Sequence, residues 1–337
     1  MTAPIGTDID RAASLITGGG LVAFATETVY GLGANAYDVR AVGRIFEVKE
    51  RPQFDPLIVH VGAPAWVRNV AATVTPLARR LIDAFWPGPL TLVLPKCDRI
   101  PYLATAGLET VGVRMPSHPS ALDLLLRANV PIAAPSANLF GHVSPTTAQH
   151  VAEQLGERID YILDGGPCTV GVESTIVEVS GDEPALLRPG GLALEALEAV
   201  IGPIRVAEAT SDENQPQPSP GCSLRHYATR TRLVIADAAQ TLSSPEQCGL
   251  LTLTAQPGDE RYAAVEVLSE RGDLAEAAAN LFAAMRRLDA RGFKAIVARL
   301  VPETGLGRAI NDRLRRAALT ASVRVVNEKL LNRRANS

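Results

Sequence analysis

The sequence predicts an α/β protein of two domains: a larger N-terminal twisted mixed sheet with helices, and a smaller C-terminal Rossmann-like α/β domain. Three observations support this fold class. The 337 residues exceed what one hydrophobic core usually organises. Short apolar runs alternate with helix-like segments in both halves, which is typical of α/β and α+β sheets. A polar, proline-rich stretch without apolar periodicity, 207–220, separates the halves as a linker.

The N-terminal domain, 1–206, begins with a helix and continues with five strand-like runs. Residues 8–16 have an acidic start and apolar residues at helical spacing, and Gly18 follows as a stop. The predicted strands are 21–24, 57–61, 90–94, 130–134 and 175–179, and the predicted helices are 78–84 and 121–128. The order of the strands in the sheet does not follow from this pattern.

The C-terminal domain, 231–337, shows the same alternation. Its predicted strands are 232–235, 249–254, 263–268 and 293–298, and a helix rich in alanine is predicted over 274–288. A last helix opens at 305–307 and continues to Ala318. Arg308, Arg313, Arg315 and Arg316 give this helix a basic character. We expect a solvated face there, with RNA or a partner protein as the alternatives.

Composition and charge exclude several classes of protein. Hydrophobic residues make up 47% and charged residues 20%, which indicates a packed core and not disorder. The net charge of -3 argues against a dedicated nucleic-acid binder. Residues 1–206 carry 15 Lys+Arg and 21 Asp+Glu, a net charge of -6, so the few cations of this half are informative. The N-terminus lacks a signal pattern, and no apolar run approaches the ~18 residues that span a bilayer. A cytoplasmic protein without a membrane partner is expected.

The chain lacks the common motifs for metals and for phosphates. Cys97, Cys168, Cys222 and Cys248 are widely separated, which argues against structural zinc and against a disulfide framework. No metal ligand is therefore predicted among the protein side chains. There is no G-x-x-x-x-G-K-[ST] sequence, and no G-x-G-x-x-G opens a helix after a strand. Phosphate recognition would therefore depend on Arg and Lys side chains.

Three stretches together predict a pocket for a polyanion and a small polar ligand. Residues 26–33 (TETVYGLG) place hydroxyls and a carboxylate in a glycine-punctuated turn after an apolar run. Residues 49–52 (KERP) supply two cations, and Pro52 biases Arg51 away from helical geometry. A helix end that turns toward the pocket is therefore expected. Residues 134–138 (APSAN) offer small hydroxyl and amide side chains beside a proline.

Further motifs make the pattern specific to one family. They are 85–91 (FWPGPLT), 113–116 (VRMP), 144–148 (SPTTA), 171–175 (GVEST) and 187–191 (LRPGG). In this order, from about Leu21 to Gly191, the chain resembles the threonylcarbamoyl-AMP synthases of the YrdC-domain family in their long two-domain form.

Residues 219–227 (SPGCSLRHY) resemble the family's S-P-G-x-x-x-x-H-Y element. That resemblance implies that 207–230 forms a lid over the pocket of the first domain. A solvated boundary loop is the alternative.

The resemblance implies a YrdC-like catalytic domain over 1–206 and a defined reaction. L-threonine, bicarbonate or CO2, and ATP would give threonylcarbamoyl-adenylate and pyrophosphate, the first step of N6-threonylcarbamoyladenosine (t6A) modification of tRNA. Mg2+ would accompany ATP, since it binds through phosphates and water and needs no dedicated protein cage. A downstream tRNA threonylcarbamoyl transferase would be the partner that receives the product. Direct binding of tRNA is left open.

The resemblance also assigns residues to the two ligands. The ATP-binding positions that match the family are Lys49, Arg51, Asp55, Thr110, Ser136, Asn138, Ser144, Arg188, His226 and Tyr227. The L-threonine-binding positions are Thr28, His60, Arg114, Ala134 and Ser174. The guanidinium of Arg114 can bind a carboxylate with two parallel hydrogen bonds. His60 has the alternative interpretation of a core histidine, and Ser136 and Ser144 of turn residues. No nucleophile–base pair emerges, so no catalytic nucleophile or base is assigned.

The chain departs from the family pattern at five positions. Ala25 stands where proline is usual, Glu50 where glycine is usual, Asp55 where asparagine is common, and Cys222 and Thr229 where methionine and proline are usual. Asp55 matters most, because a carboxylate near phosphates weakens their binding unless Arg51 or Mg2+ is paired with it.

Three other functions compete with adenylate synthesis. One is an RNA-binding or ribosome-assembly protein, which the acidic first half argues against. Another is carbamoyl transfer in hydrogenase maturation, for which the zinc-finger cysteines and the acylphosphatase region are missing. The last is simple amino-acid adenylation, which would not need bicarbonate.

Overall fold

The computed structural model describes residues 2–181, 183–207, 226–236 and 244–319. The chain divides into two compact units, Met1–Phe140 with Ser144–Ser223, and Gly141–Val143 with Leu224–Ser337. The predicted lid, 207–230, lies outside the described residues except for 207 and 226–230, and Cys222 lies outside them too. The function of this segment therefore stays a prediction.

An eleven-stranded mixed sheet organises the described part of the first unit. In chain order its strands are β1 (Ile5–Gly6), β2 (Val22–Phe24), β3 (Gly31–Asn35), β4 (Ile58–His60), β5 (Leu90–Pro95), β6 (Thr110–Arg114), β7 (Ile132–Ala133), β8 (Tyr161–Leu163), β9 (Thr175–Glu178), β10 (Ala185–Arg188) and β11 (Arg205–Val206). Their order in space is β1-β8-β2-β3-β7-β4-β6-β5-β9-β10-β11. β4 runs parallel to β6, whereas β5 runs antiparallel to it. The predicted mixed sheet is thus confirmed, and the five predicted strands are β2, β4, β5, β7 and β9.

Residues 31–33 differ from the prediction. They were expected in a turn, but the turn ends before Gly31, where β3 begins. The glycines let neighbouring side chains approach the strand closely. A Cβ on Gly33 would lie 2.8 Å from Ile132 and 2.8 Å from Phe24. Glycine is therefore needed here for packing across the sheet and not for a bend.

Helices pack on this sheet, and one of them ends at a predicted site residue. They are α1 (Ile9–Thr17), α2 (Val39–Lys49), α3 (Pro76–Phe85), α4 (Pro119–Ala128), α5 (Ala148–Leu155) and α6 (Leu194–Ile201). Asp8 caps α1 by accepting a hydrogen bond from the Arg11 amide, and Gly18 ends the helix as predicted. Asp38 caps α2, which ends at Lys49 because Glu50 adopts left-handed geometry at φ 53°.

The second unit contains a smaller parallel sheet of four strands among the described residues. They are β12 (Leu233–Ile235), β13 (Cys248–Thr252), β14 (Ala264–Val267) and β15 (Ala295–Ala298), in the order β12-β15-β13-β14. Helix α7 (Leu274–Ala290) crosses between β14 and β15, and α8 covers 307–319. The predicted Rossmann-like arrangement is confirmed. In the described part of the chain, no helix combines the length and the apolar character needed to cross a bilayer.

The expected solvated basic face of α8 is wrong for two of its arginines. Arg313 is fully buried, and Arg316 is 6% exposed. Asp312 lies 2.9 Å from the guanidinium of Arg313 and 2.8 Å from that of Arg316. The Arg313 guanidinium also lies over the Tyr227 ring, 5.3 Å from its centroid. One carboxylate and one aromatic ring thus compensate for the burial of these side chains.

Candidate active site

Two of the three predicted pocket stretches are neighbours in space. Gly31 forms a β-bridge with Ser136. The Leu32 amide donates to the Pro135 carbonyl at 2.8 Å, and the Ala137 amide donates to the Tyr30 carbonyl at 2.8 Å. The residues after Thr28 are therefore held against the 134–138 loop through their backbones.

Lys49 connects the third stretch to this loop. It is the last residue of α2 and is 1% exposed. Its Nζ donates to the carbonyl of Ser136 at 2.6 Å and to that of Asn138. Burial, and next the charge of Arg51, lower the pKa of Lys49 well below its ordinary value. Lys49 thus fixes the loop of Ser136 and Asn138, and its contact with ATP stays a prediction.

Arg51 and Asp55 form a buried ion pair. The Arg51 Nη2 lies 3.0 Å from Asp55 Oδ2, and the two side chains are 3% and 0% exposed. Arg51 also donates to the carbonyls of Asp55 at 3.0 Å and Pro56 at 2.7 Å. The carboxylate that departs from the family pattern is therefore neutralised by Arg51, as one of the two expected pairings.

Glu50, another departure, has a local structural explanation. Its φ of 53° is a conformation that glycine adopts without strain. The side chain points to Arg158, whose Nη1 lies 2.6 Å from Glu50 Oε1, and 67% of the Glu50 side chain is exposed. Glu50 therefore contributes a surface ion pair while it ends α2.

Arg114, at the end of β6, is the centre of a buried polar network. Its Nη2 donates to Glu27 Oε1 at 2.6 Å, its Nη1 to Thr28 Oγ1 at 2.8 Å, and its Nε to the Gly88 carbonyl at 3.3 Å. The other Glu27 oxygen accepts from the Ser117 amide at 3.1 Å. These contacts use three of the five guanidinium N–H groups. One hydrogen on each Nη is left for a ligand.

The hydroxyl of Thr28 has a defined polarity. Thr26 Oγ1 donates its single hydrogen to the Val29 carbonyl at 2.6 Å. The 2.9 Å contact between Thr26 Oγ1 and Thr28 Oγ1 must therefore use the hydrogen of Thr28. Since Arg114 also donates to Thr28, the remaining lone pair of Thr28 can only accept. It suits an amine or hydroxyl of a ligand.

Ser174 lies between two parts of the predicted site. Its Oγ is 2.8 Å from Thr91 Oγ1. Arg188 donates through Nη2 to the Ser174 carbonyl at 2.8 Å and to its Oγ at 3.3 Å. The structure thus brings the predicted threonine-binding Ser174 and the predicted ATP-binding Arg188 into direct contact.

Two carboxylates that were not predicted as site residues belong to these networks. Glu27 binds Arg114, and Glu173 accepts from Ser144 Oγ at 2.5 Å. Both are buried, at 5% and 7% exposure. The signal in the sequence was their position inside the T-E-T and G-V-E-S-T motifs, directly beside predicted threonine-binding residues. An ionised carboxylate at such a position needs a buried donor.

His60 and Cys168 have strongly shifted pKa values beside the Arg114 network. His60 faces Arg114 across the β4–β6 pairing, and its ring packs edge-on against Phe24 at 6.0 Å between centroids. Burial, and next the charge of Arg114, lower the pKa of His60 to about 3. Burial raises the pKa of the Cys168 thiol to about 12. At neutral pH both groups are uncharged.

The other predicted residues lie apart from this network or in the second unit. Ala134 is buried, and its amide donates to the Ile58 carbonyl at 2.9 Å. Thr110 begins β6 and Arg114 ends it, so about 13 Å of strand separates them.

In the second unit the His226 and Tyr227 rings lie 4.2 Å apart, and Tyr227 stacks on Phe282 at 5.4 Å. Thr229, a departure from the family pattern, donates to the Thr231 carbonyl at 2.6 Å. The proposed contacts of Thr110, His226 and Tyr227 with ATP stay predictions.

Comparison with known proteins agrees with the resemblance. Residues 14–190 match the family described as "Telomere recombination" (Sua5, YciO and YrdC), and residues 192–319 match "Threonylcarbamoyl-AMP synthase, C-terminal domain". The threonylcarbamoyl-AMP synthase of Bacillus subtilis is 44% identical over 92% of this chain and 92% of its own length. The chain belongs to the threonylcarbamoyl-AMP synthase family.

Other members of the threonylcarbamoyl-AMP synthase family support the two-domain form. The synthase of Pyrococcus abyssi is 44% identical over 91% of this chain and 93% of its own length. The crystal structure of P. abyssi Sua5 complexed with L-threonine matches with a TM-score of 0.87 and 41% identity, over 95% of this chain and 98% of that chain. Both domains of the family are therefore present here.

Proposed function

We propose that this protein synthesises threonylcarbamoyl-adenylate and pyrophosphate from L-threonine, bicarbonate or CO2, and ATP. This synthesis is the first step of t6A modification of tRNA, and a tRNA threonylcarbamoyl transferase would receive the product. The observation that carries the proposal is the buried network of Arg114, Glu27 and Thr28. It offers a cation for a carboxylate beside an acceptor for an amine or hydroxyl. P. abyssi Sua5, which has the same fold, was solved with L-threonine.

The chemistry needs positioning more than protein nucleophiles. The neutral amine of L-threonine attacks the carbon of CO2. As the C–N bond forms, one C=O π bond breaks and its electron pair moves to oxygen, and the nitrogen gives a proton to water, which leaves a carbamate. A carbamate oxygen then attacks the α-phosphorus of ATP. As that O–P bond forms, the bond from the α-phosphorus to the bridging oxygen breaks, and pyrophosphate leaves. Holding three substrates in contact, with stabilised phosphate charge, supplies the catalysis.

The proposed binding of L-threonine uses the hydrogen-bond donors and acceptors of Arg114 and Thr28 that have no partner in the described part of the protein. The two remaining Nη hydrogens of Arg114 would bind the substrate carboxylate, which gives a strong, charge-assisted pair. The lone pair of Thr28 would accept from the substrate amine or hydroxyl. Neutral His60 would add a polar edge without a competing charge, since the pKa of His60 is about 3.

ATP would occupy the side of the pocket formed by Arg51, Ser144, Arg188 and the loop that Lys49 holds. Arg51 and Arg188 are buried and fixed by several contacts, so they are preorganised and lose little freedom on binding phosphate. No cluster of three His, Cys, Asp or Glu suited to a metal occurs among the residues that the structure describes. Mg2+ would arrive on the triphosphate, where it screens phosphate charge.

The test is pyrophosphate release from ATP and Mg2+, with L-threonine and bicarbonate omitted in turn. L-serine replaces L-threonine in a control reaction. Release that requires both co-substrates is the expected result. Release with L-threonine alone, after removal of CO2, would instead indicate amino-acid adenylation. No release under any of these conditions would refute the proposed synthesis.

A further inference from the structure

A cavity of about 460 Å3 lies within the second unit, at the amino ends of β12 and β15 and the carboxyl end of α7. Its lining is mainly polar and charged, and it includes Arg230, Thr231, Arg232, Asp289, Phe293 and Lys294. Apart from Arg230, the last residue of the predicted lid, none of these residues belongs to the site proposed above. The cavity therefore needs an explanation of its own.

The charge of this cavity is positive. Asp289 is the one carboxylate among the described residues that line it. Its oxygens accept from the backbone amides of Thr231 at 2.7 Å and Arg230 at 3.1 Å, and the Arg230 Nε lies 3.5 Å from Asp289 Oδ2 as an ion pair. Arg232 and Lys294 are exposed. No carboxylate among the described residues forms an ion pair with either of these two cations. Their charges are therefore available to a ligand.

Helix α7 explains only part of this charge. A cation at the carboxyl end of a helix is favoured by the helix dipole. Arg291, directly after α7, fits that explanation, and its guanidinium lies 5.2 Å from the centroid of the Phe293 ring. Arg232 and Lys294 precede β12 and β15 and do not extend the helix. Their convergence on one cavity is independent of the dipole.

The location argues against a small cofactor. In open α/β sheets, nucleotides and other small ligands bind beyond the carboxyl ends of the strands. This cavity lies at the amino ends, and it has few apolar groups to enclose a small molecule. An extended polyanion that passes over the surface fits better. Arginine forks and lysine ammonium groups pair with phosphate oxygens and need no enclosed cleft.

We propose that this basic face, Arg230, Arg232, Phe293 and Lys294, binds the phosphate backbone of RNA. Phosphate contacts of this kind release counterions, so the affinity should fall as salt rises. Asp289 pairs with Arg230, so Arg232 and Lys294 carry the unpaired charge of this face. The proposal goes beyond the synthesis of the adenylate and does not depend on it.

The test measures binding of a fluorescently labelled, unmodified tRNA transcript to the full chain between 50 and 200 mM salt (about the range in which such contacts respond). The variant Arg232→Ala/Lys294→Ala is compared with the control Arg261→Ala/Arg271→Ala. The control removes the same charge from exposed residues that follow β13 and β14 at the opposite edge of the sheet.

We expect the first variant to bind tRNA about tenfold more weakly, with a salt dependence shallower by about 1.5 in log–log slope, as for the loss of two phosphate contacts. The control should bind like the unchanged protein. Pyrophosphate release without RNA should be the same in all three, which checks folding. If pyrophosphate release is absent from all three proteins, the comparison of tRNA binding still stands.

Two results would overturn the proposal. One is equal tRNA affinity of the unchanged protein and the Arg232→Ala/Lys294→Ala variant. The other is competition by poly-L-glutamate that matches tRNA charge for charge, which would assign the face to an acidic protein.

Discussion

Glu27 and Arg114 form an ion pair of 2.6 Å in which the side chains are 7% and 4% exposed. Breaking such a pair leaves a buried charge without compensation, whereas an exposed pair contributes little. The pair therefore fixes both the fold around the pocket and the direction of the guanidinium. It also makes Glu27 a positioning residue for the proposed binding of the L-threonine carboxylate.

Glu27→Gln is expected to lower the stability of the folded protein and also its affinity for L-threonine. The free energy of unfolding should fall by about 3 kcal/mol, and the KM for L-threonine should rise at least about tenfold, while the KM for ATP changes little. Urea unfolding and steady-state pyrophosphate release measure these effects. Glu109→Gln, at an exposed carboxylate bonded to Tyr102, is the control. An unchanged KM for L-threonine would contradict the positioning role.

Thr26 is expected to act through Thr28. Thr26→Val keeps the shape but removes the oxygen that accepts from the Thr28 hydroxyl and from the amides of Thr28 and Val29. Unsatisfied buried donors cost about 1–3 kcal/mol, and Thr28 would be free to turn its hydrogen toward the substrate. The KM for L-threonine should rise in Thr26→Val and stay near its original value in Thr26→Ser. Equal KM values for the two variants would show that the hydroxyl polarity is unimportant.

Asp55→Asn should move stability and ATP binding in opposite directions. Loss of the carboxylate leaves Arg51 buried without its partner, which should lower the free energy of unfolding by about 3 kcal/mol. The same change frees positive charge for phosphates, so the KM for ATP should fall severalfold. Asp98→Asn, at an exposed position, is the control for removal of one charge. A raised KM for ATP in a folded Asp55→Asn protein would contradict this assignment.

The lowered pKa of His60 predicts that the folded protein loses stability as the pH falls. The pKa of this residue is about 3 in the folded protein and about 6.5 when unfolded, because burial and Arg114 oppose its charge. Between these values the unfolded chain takes up a proton that the folded chain does not. The stabilising contribution is therefore complete above pH 6.5 and decreases as pH falls toward 3, by up to about 1.4 kcal/mol per pH unit.

Urea unfolding at pH 7, 6, 5 and 4 (roughly the window set by the two pKa values) tests this dependence. His60→Asn should show a shallower loss of stability with falling pH than the unchanged protein. His118→Asn, which removes another histidine at the start of α4, is the control. Identical slopes for all three proteins would show that His60 is not the responsible group.

The sequence predicted the four strands of the second domain, but only five of the eleven described strands of the first. The nine that were found are short apolar runs between turn residues. β12–β15 and α7 begin and end within two residues of the predicted bounds. Strand order was not predictable, since it depends on contacts between distant segments. β3 was missed because its glycines look like turn residues. In the folded protein they admit Phe24 and Ile132 at short distance.

The sequence identified many residues of the candidate site, but it did not show which of them contact each other. The motifs named Arg51, Arg114 and Ser174, but the sequence could not reveal which group each one binds. Glu27 and Glu173 were missed because a carboxylate in a motif resembles a solvated side chain until its buried donor is known. The burial of Arg313 was missed for the same reason, since its compensating ring, Tyr227, lies 86 residues earlier in the chain.

The protonation state of Cys168 matters because the product is a reactive acylating agent. Threonylcarbamoyl-adenylate is a mixed anhydride, and thiolates attack such acylating agents readily. Burial raises the pKa of Cys168 to about 12, so the sulfur stays a protonated, weakly nucleophilic thiol at neutral pH. The charges of Glu27 and Arg114 act on the pKa of this thiol, so Cys168 lies near the Arg114 network. We expect a buried, protonated thiol of this kind to resist acylation by the product.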